Sequence, residues 1–259
     1  MKLNTLDGLV EALASAHHAG NVVEGAAWRD ALSDASQAYW VQDAVGRALG
    51  LFGSEIPAHW KSGGASRDVT LTHAPLPGAG VRTGPARFAD MAFHIPGFEA
   101  EIALRLGRDV TPAMASELTA DGVDALIGAM AVSVEIVDSR WDDVGRTVAL
   151  LKLADFQSHG ALALGEWVPY QSRDWSTQVC RVNIEGSEPA VFTGSHSLGA
   201  PQWLLPSWLR HVTRGGKTVA AGTIVTTGTW CGLIPLRPDA AASVTFDGIG
   251  SLDVRLAGG

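Results

Sequence analysis

Residues Glu99 to Gly107 read E-A-E-I-A-L-R-L-G, and this alternation constrains the local fold more than any other feature of the chain. Period-two spacing puts Glu99, Glu101, Ala103 and Arg105 on one face and Ala100, Ile102, Leu104 and Leu106 on the other. On a helix, residues i and i+2 diverge, so two acids with a common target require a strand. Oxygen donors of this kind suit a hard divalent cation. A second reading stays open, in which the face is solvated and Arg105 completes a surface charge pattern. Glu135 adds weight to the first, because it interrupts A-M-A-V-S-V-E-I-V. A carboxylate buried there costs several kcal/mol, roughly, unless a cation or hydrogen bonds compensate it. Pairing with Arg140, or a capping position near the strand's exit, is the alternative for Glu135.

The chain has 259 residues, 46% of them hydrophobic, enough for one large domain or for a core with an N-terminal helical extension. No linker, internal repeat or low-complexity tract is evident. The Pro/Gly-rich stretch from His73 to Pro85 is the best candidate boundary and reads as a connecting loop. The boundary expected on this basis separates residues 1–72, a helical region ending in a lysine-bearing strand, from a core over 73–259. A formal charge of −8 with scattered basic residues argues against a nucleic-acid partner. Lysine occurs only at Lys2, Lys61, Lys152 and Lys217, so Lys61, in an apolar setting, stands out. Cys180 and Cys231 are too few and too far apart for a disulfide framework or a zinc site. With no secretory leader or membrane-spanning run read at the N-terminus, a soluble cytoplasmic protein is expected.

Helical spacing predicts helices over Thr5 to Ala19 and Ser33 to Leu51, the second capped by Asp34 or Ser33 and burying Trp40, Val41, Ala44 and Ala48. A short strand over His59 to Gly64 carries Lys61 near its end. Strands are expected over Glu99 to Gly107, Ala129 to Val137, Ala161 to Val168, Gln178 to Ile184, Thr223 to Thr227, Ser243 to Phe246 and Ser251 to Leu256. Further helices are expected near Ser116 to Leu126 and Gln202 to Arg214. Strands dominate the last two thirds and the helices are grouped, which favours α+β with a rolled or sandwiched sheet. Gly46, Gly50 and Gly53 lie in or after a helix with no preceding strand, which rules out a nucleotide loop. Ser195, beside His196, lacks the glycine pattern of a nucleophile elbow.

Four segments together resemble one family: F-E-A-E-I-A-L-R-L-G-R-D from Phe98, V-E-I-V-D-S-R from Val134, T-T-G-T from Thr226 and F-D-G-I-G-S-L-D-V-R-L from Phe246. They are similar to the 2-oxopent-4-enoate hydratase and 4-oxalocrotonate decarboxylase group of the fumarylacetoacetate hydrolase superfamily, over nearly the whole chain. The resemblance implies a mixed β-roll or sandwich core of the fumarylacetoacetate hydrolase C-terminal-domain type with an N-terminal helical region. It implies a divalent cation, Mg²⁺ or Mn²⁺, on carboxylates matching Glu99, Glu101 and Glu135, and a catalytic lysine matching Lys61. Substrate contacts are implied for Phe156, Ser158, His159 and Thr229. The chain departs from the family pattern at Ala154 to Gly160, where A-D-F-Q-S-H-G replaces A-D-N-A-S-S-G. Phe156 thus stands for an amide and His159 for a small hydroxyl. Either these two line the end of the pocket remote from the metal and read a distal carboxylate, or Phe156 is core and His159 a loop residue facing solvent.

The function this implies is hydration of a 2-hydroxy-2,4-dienoate to a 4-hydroxy-2-oxo acid in aromatic catabolism, by a homo-oligomer. Decarboxylation of a 2-oxo-3-enedioate, C–C hydrolysis of an acylpyruvate, and a catalytically silent binder of metal and oxo acid are the alternatives.

Overall fold

In a computed structural model, residues 5–143 and 145–256 are described. The helices are α1 (Thr5–Ala19), α2 (Ala35–Ala48), α3 (Pro112–Glu117), α4 (Ala149–Ala154) and α5 (Leu205–Thr213). The strands are β1 (His59–Gly63), β2 (Thr72–Pro75), β3 (Val81–Thr83), β4 (Ala86–Phe88), β5 (Gly97–Leu106), β6 (Ile127–Val137), β7 (His159–Leu164), β8 (Val168–Pro169), β9 (Val179–Ile184), β10 (Ala190–Thr193), β11 (Ile224–Thr226), β12 (Ile234–Pro235), β13 (Ala241–Phe246) and β14 (Gly250–Leu256). The larger sheet runs β2-β1-β11-β5-β6-β7-β3, with β12 joined to β5 and β8 to β6; the smaller runs β10-β9-β13-β14-β4. Both are mixed, since β1 with β11, β3 with β7 and β4 with β14 are parallel. The α+β roll with a helical N-terminal region is therefore the observed architecture.

The alternation in β5 decides how the sheets meet. Ala100, Ile102 and Leu104 join Val132, Val134 and Ile136 of β6 in the main core. That core also contains Val182, Val244, Phe246, Leu252 and Val254 from the smaller sheet. Burying this apolar face is the main stabilising contribution, and it turns the Glu99 and Glu101 face of β5 away from the sandwich interior. That opposite face is not solvated: Glu101 is 2% and Ala103 0% exposed.

A second core holds the helical region in place. Leu9 and Leu13 of α1 and Val41 and Val45 of α2 pack with Leu151, Leu153 and Phe156. Polar groups fix the docking: Gln42 Nε2 donates to the Leu153 carbonyl at 2.7 Å, and buried Asp155 accepts from Arg140 Nε at 2.7 Å and pairs with His17 at 3.0 Å. Burial alone raises the Asp155 pKa, but Arg140 and His17 hold it below the ordinary value. Arg140 is thus committed to Asp155, not to Glu135.

Several expected elements are corrected. α2 is capped by Asp34, whose side chain accepts from Ser36 and Gln37 N–H groups, but its buried stripe is Ala38, Val41, Gln42 and Val45, and Trp40 is 43% exposed. Gln42 supplies the explanation, because one buried hydrogen bond turns a polar residue inward and rotates the face. The segment Ser116 to Leu126 holds only the end of α3, followed by two separate 3-10 turns. His73 to Pro85 contains β3 and most of β2 and is no loop, and Lys61 sits mid-strand in β1 between β2 and β11.

Candidate metal centre and active site

Strand register brings the three acids together. Glu99 of β5 lies opposite Glu135 of β6, Glu101 opposite Ser133, and Ala103 opposite both Ala131 and Thr226. Lys61 pairs with Thr226, which places it on the same face. One carboxylate oxygen from each of Glu99, Glu101 and Glu135 falls within 4.8 Å of the others. Lys61 Nζ donates to Glu135 Oε1 at 2.6 Å and to the Gln157 carbonyl at 3.3 Å. The convergence therefore depends on antiparallel β5 and β6 for the acids and on parallel β1 and β11 for the cation.

Crowding three carboxylates in a buried place shifts their titration. Burial, opposed by Lys61 and reinforced by Glu135, pushes Glu99 to about 7. Burial together with Glu135 and Glu99 pushes Glu101 to about 8. Glu135 is the exception: burial raises it, but Lys61 and His159 outweigh that and hold it below the ordinary value. For Lys61, burial disfavours the charge and the glutamates, Glu135 first, restore it, leaving the pKa above the usual lysine value. An ionised Glu135 beside two proton-retaining acids is what like-charge repulsion predicts. The donor set also fits a cation, because Glu135 Oε2 is buried with no hydrogen-bond partner among the described residues. An all-oxygen, carboxylate-rich group favours Mg²⁺, Mn²⁺ or Ca²⁺ over softer metals.

The structure places the remaining sequence candidates unevenly. His159 is not remote from the acids: its Nδ1 lies 2.9 Å from Glu135 Oε1 and its side chain is 3% exposed. Phe156 is 2% exposed and packs in the helical core against Phe52 and His17. Both residues border a 410 Å³ cavity shared with His17, Met91, Phe93 and Arg140, which neither Lys61 nor the three glutamates line. Ser158 is buried with its Oγ unpartnered among the described residues. Thr229 bonds within its own turn, donating to the Gly232 carbonyl and accepting from Cys231 N–H.

Residues that sequence reasoning missed complete the site. Thr226 Oγ1 donates to Glu101 Oε2, and Gly228 N–H donates to the same oxygen at 3.0 Å. The T-T-G-T motif held that signal, but its first threonine and its glycine carry the contact rather than Thr229. Phe156, Gln157 and Ser158 all have positive φ, at 47, 55 and 58°. Three consecutive non-glycine residues in the left-handed region cost of order 1–3 kcal/mol each. That turn aims the Gln157 carbonyl at Lys61.

Residues 66–257 match the family model described as fumarylacetoacetate (FAA) hydrolase C-terminal. Two proteins of Dechloromonas aromatica (strain RCB), 2-keto-4-pentenoate hydratases 1 and 2, are 29% and 28% identical to the chain over 245 residues, each alignment spanning 88% of both partners. Among solved structures, the 4-oxalocrotonate decarboxylase of Pseudomonas putida G7 complexed with magnesium and adipate superposes with a TM-score of 0.84, at 20% identity and covering 99% of this chain and 98% of that one. The same enzyme with calcium and acetate gives 0.82 at 21% identity, with the same coverage. At such identities the superpositions speak to the fold, whereas the model match spans most of the chain and includes all three glutamates: the chain belongs to the fumarylacetoacetate hydrolase family, through its C-terminal domain.

Proposed function

We propose that this chain is a divalent-metal-dependent lyase that adds water to a 2-hydroxy-2,4-dienoate, giving a 4-hydroxy-2-oxo acid in aromatic catabolism. The observation that carries this reading is the meeting of Glu99, Glu101 and Glu135 with Lys61 in one buried place. Similarity to two 2-keto-4-pentenoate hydratases over 88% of the chain supplies the substrate class. The three glutamates would hold Mg²⁺ or Mn²⁺. When bound, the cation supplies charge stabilisation for the oxygens of a 2-oxo acid. Lys61, a cation beside the three acids, suits holding the substrate anion or shuttling a proton. Ser158 Oγ and His159 Nε2 are buried without a partner among the described residues, and we assign them to substrate or to bridging water. The two cysteines are unpaired, which supports a reducing, cytoplasmic setting, and we assign a homo-oligomeric assembly with it. Among the described residues no helix is long and apolar enough to cross a membrane.

The test is turnover of a small panel of 2-oxo acids with Mg²⁺. Magnesium-dependent loss of a 2-hydroxy-2,4-dienoate with formation of the 4-hydroxy-2-oxo acid supports the reading. Release of CO₂ from a 2-oxo-3-enedioate would instead make the chain a decarboxylase. Thermal stabilisation by oxo acids without product would make it a silent binder.

Metal binding should also depend on pH in a defined direction. The raised folded-state values of Glu99 and Glu101 mean that these two groups contribute stability to the metal-free protein that is fully present below the ordinary carboxylate pKa. That stability is lost as pH rises through about 7 and about 8. A cation needs both groups deprotonated, so the gain in Tm from a fixed excess of Mg²⁺ should be larger at about pH 8.5 than at about pH 6. Equal gains at both values, read by differential scanning fluorimetry, would count against these residues as the ligands.

A further inference from the structure

Two of the three carboxylates have one oxygen already occupied. Glu135 Oε1 accepts from Lys61 Nζ at 2.6 Å and from His159 Nδ1 at 2.9 Å, while its Oε2 has no partner among the described residues. Glu101 Oε2 accepts from Thr226 Oγ1 and from Gly228 N–H. No hydrogen bond among the described residues reaches its Oε1. The pattern repeats: two donors fix one oxygen, the carboxylate cannot turn, and the other oxygen is presented.

On Glu135 the two donors are unequal. Lys61 is a flexible stem ending in a rotatable ammonium that also bonds the Gln157 carbonyl. His159 is a rigid ring, 0% of whose partner's side chain and 3% of its own is exposed. Since a carboxylate only accepts, Nδ1 carries the hydrogen. The other nitrogen, Nε2, is buried without a partner among the described residues, so Glu135 is the ring's polar anchor.

We propose that His159 is a positioning residue that pins Glu135 to one-oxygen ligation and thereby biases the centre toward Mg²⁺ or Mn²⁺ and against Ca²⁺. Magnesium takes six oxygens in a near-ideal octahedron and keeps several waters, whereas calcium takes six to eight and readily uses both oxygens of a carboxylate. With Glu101 and Glu135 each restricted to one oxygen, only Glu99 is free to offer two. Partners that orient ligands typically change metal affinity by about 10- to 100-fold when removed.

The inference rests on the metal reading above, and the experiment separates the two. Mg²⁺, Mn²⁺ and Ca²⁺ are titrated by calorimetry into the full chain, its His159→Leu variant and its His159→Asn variant, with His159→Met in place of leucine if the branched side chain does not fold. The leucine or methionine variant should raise the Ca²⁺ to Mg²⁺ affinity ratio by about tenfold or more. The asparagine variant, whose Nδ2–H can take the place of Nδ1–H, should keep the wild-type ratio. An unchanged ratio in the leucine or methionine variant overturns the role of His159 while leaving the metal centre standing. Absence of any cation binding by the wild-type chain overturns both.

Discussion

Glu101→Ala is expected to abolish the rise in Tm that Mg²⁺ confers and to lower turnover by about 10³-fold or more, corresponding to about 4 kcal/mol of lost charge stabilisation. Glu101 sits centrally in the group: it is 2% exposed, and Glu135 and Glu99 both act on its titration. Thr226 and Gly228 hold its Oε2, so removing the side chain also leaves a hydroxyl and an N–H without their acceptor. That loss is destabilising. Relief of the repulsion among three buried acids acts in the opposite direction. The metal-free variant should therefore melt close to the metal-free parent, and the difference should appear only when Mg²⁺ is added. Paired melts with and without Mg²⁺, alongside turnover of the dienoate, read both quantities. A variant that keeps the full Mg²⁺-induced shift would remove Glu101 from the metal centre.

The legibility of this site in the sequence follows from what periodicity can and cannot carry. β5 is ten residues long and one face is wholly apolar, so its alternation declares both the strand and the shared direction of Glu99 and Glu101. Glu135 is visible because a charge in an eleven-residue apolar strand is costly. β3 and β4 have three residues each and β2 and β10 four, too short to establish a period against Pro and Gly punctuation. Lys61 stands out in the sequence as a lysine in an apolar setting, but its position opposite Thr226 is not legible there, because it depends on a parallel pairing across more than 160 residues of chain. The position of His159 beside Glu135 escapes the sequence for a related reason. The left-handed turn over Phe156 to Ser158 is imposed by tertiary packing on residues with no intrinsic preference for it. That turn sends Phe156 into the helical core and delivers His159 to Glu135. The helical region is thus tied to the glutamate cluster through a five-residue segment, Asp155 to His159, whose first residue anchors Arg140 and whose last anchors Glu135.

Lys61→Ala should lower turnover by about 10²-fold or more at a fixed, subsaturating Mg²⁺ concentration, with the fold retained. Lys61 is the nearest cation to Glu135, at 2.6 Å, and its positive charge is the first cause that keeps Glu135 ionised, with the hydrogen bond from His159 the second. Removing it leaves Glu135 with an environment closer to that of Glu99 and Glu101, so more of the group is protonated near neutral pH. Part of the lost rate is then recoverable by raising Mg²⁺ or pH. The part that is not recoverable measures contact between Lys61 and the substrate. How it divides between the kinetic constants assigns the role: an anion-holding lysine raises KM with kcat nearly unchanged, whereas a proton donor lowers kcat. Lys61→Arg sharpens the distinction, since it keeps the charge but replaces a compact ammonium with a planar group that stays protonated. Arginine should preserve substrate affinity in the first case and fail to restore kcat in the second. Unaltered kcat and KM in Lys61→Ala would confine the residue to balancing the charge of Glu135, with no part in the chemistry.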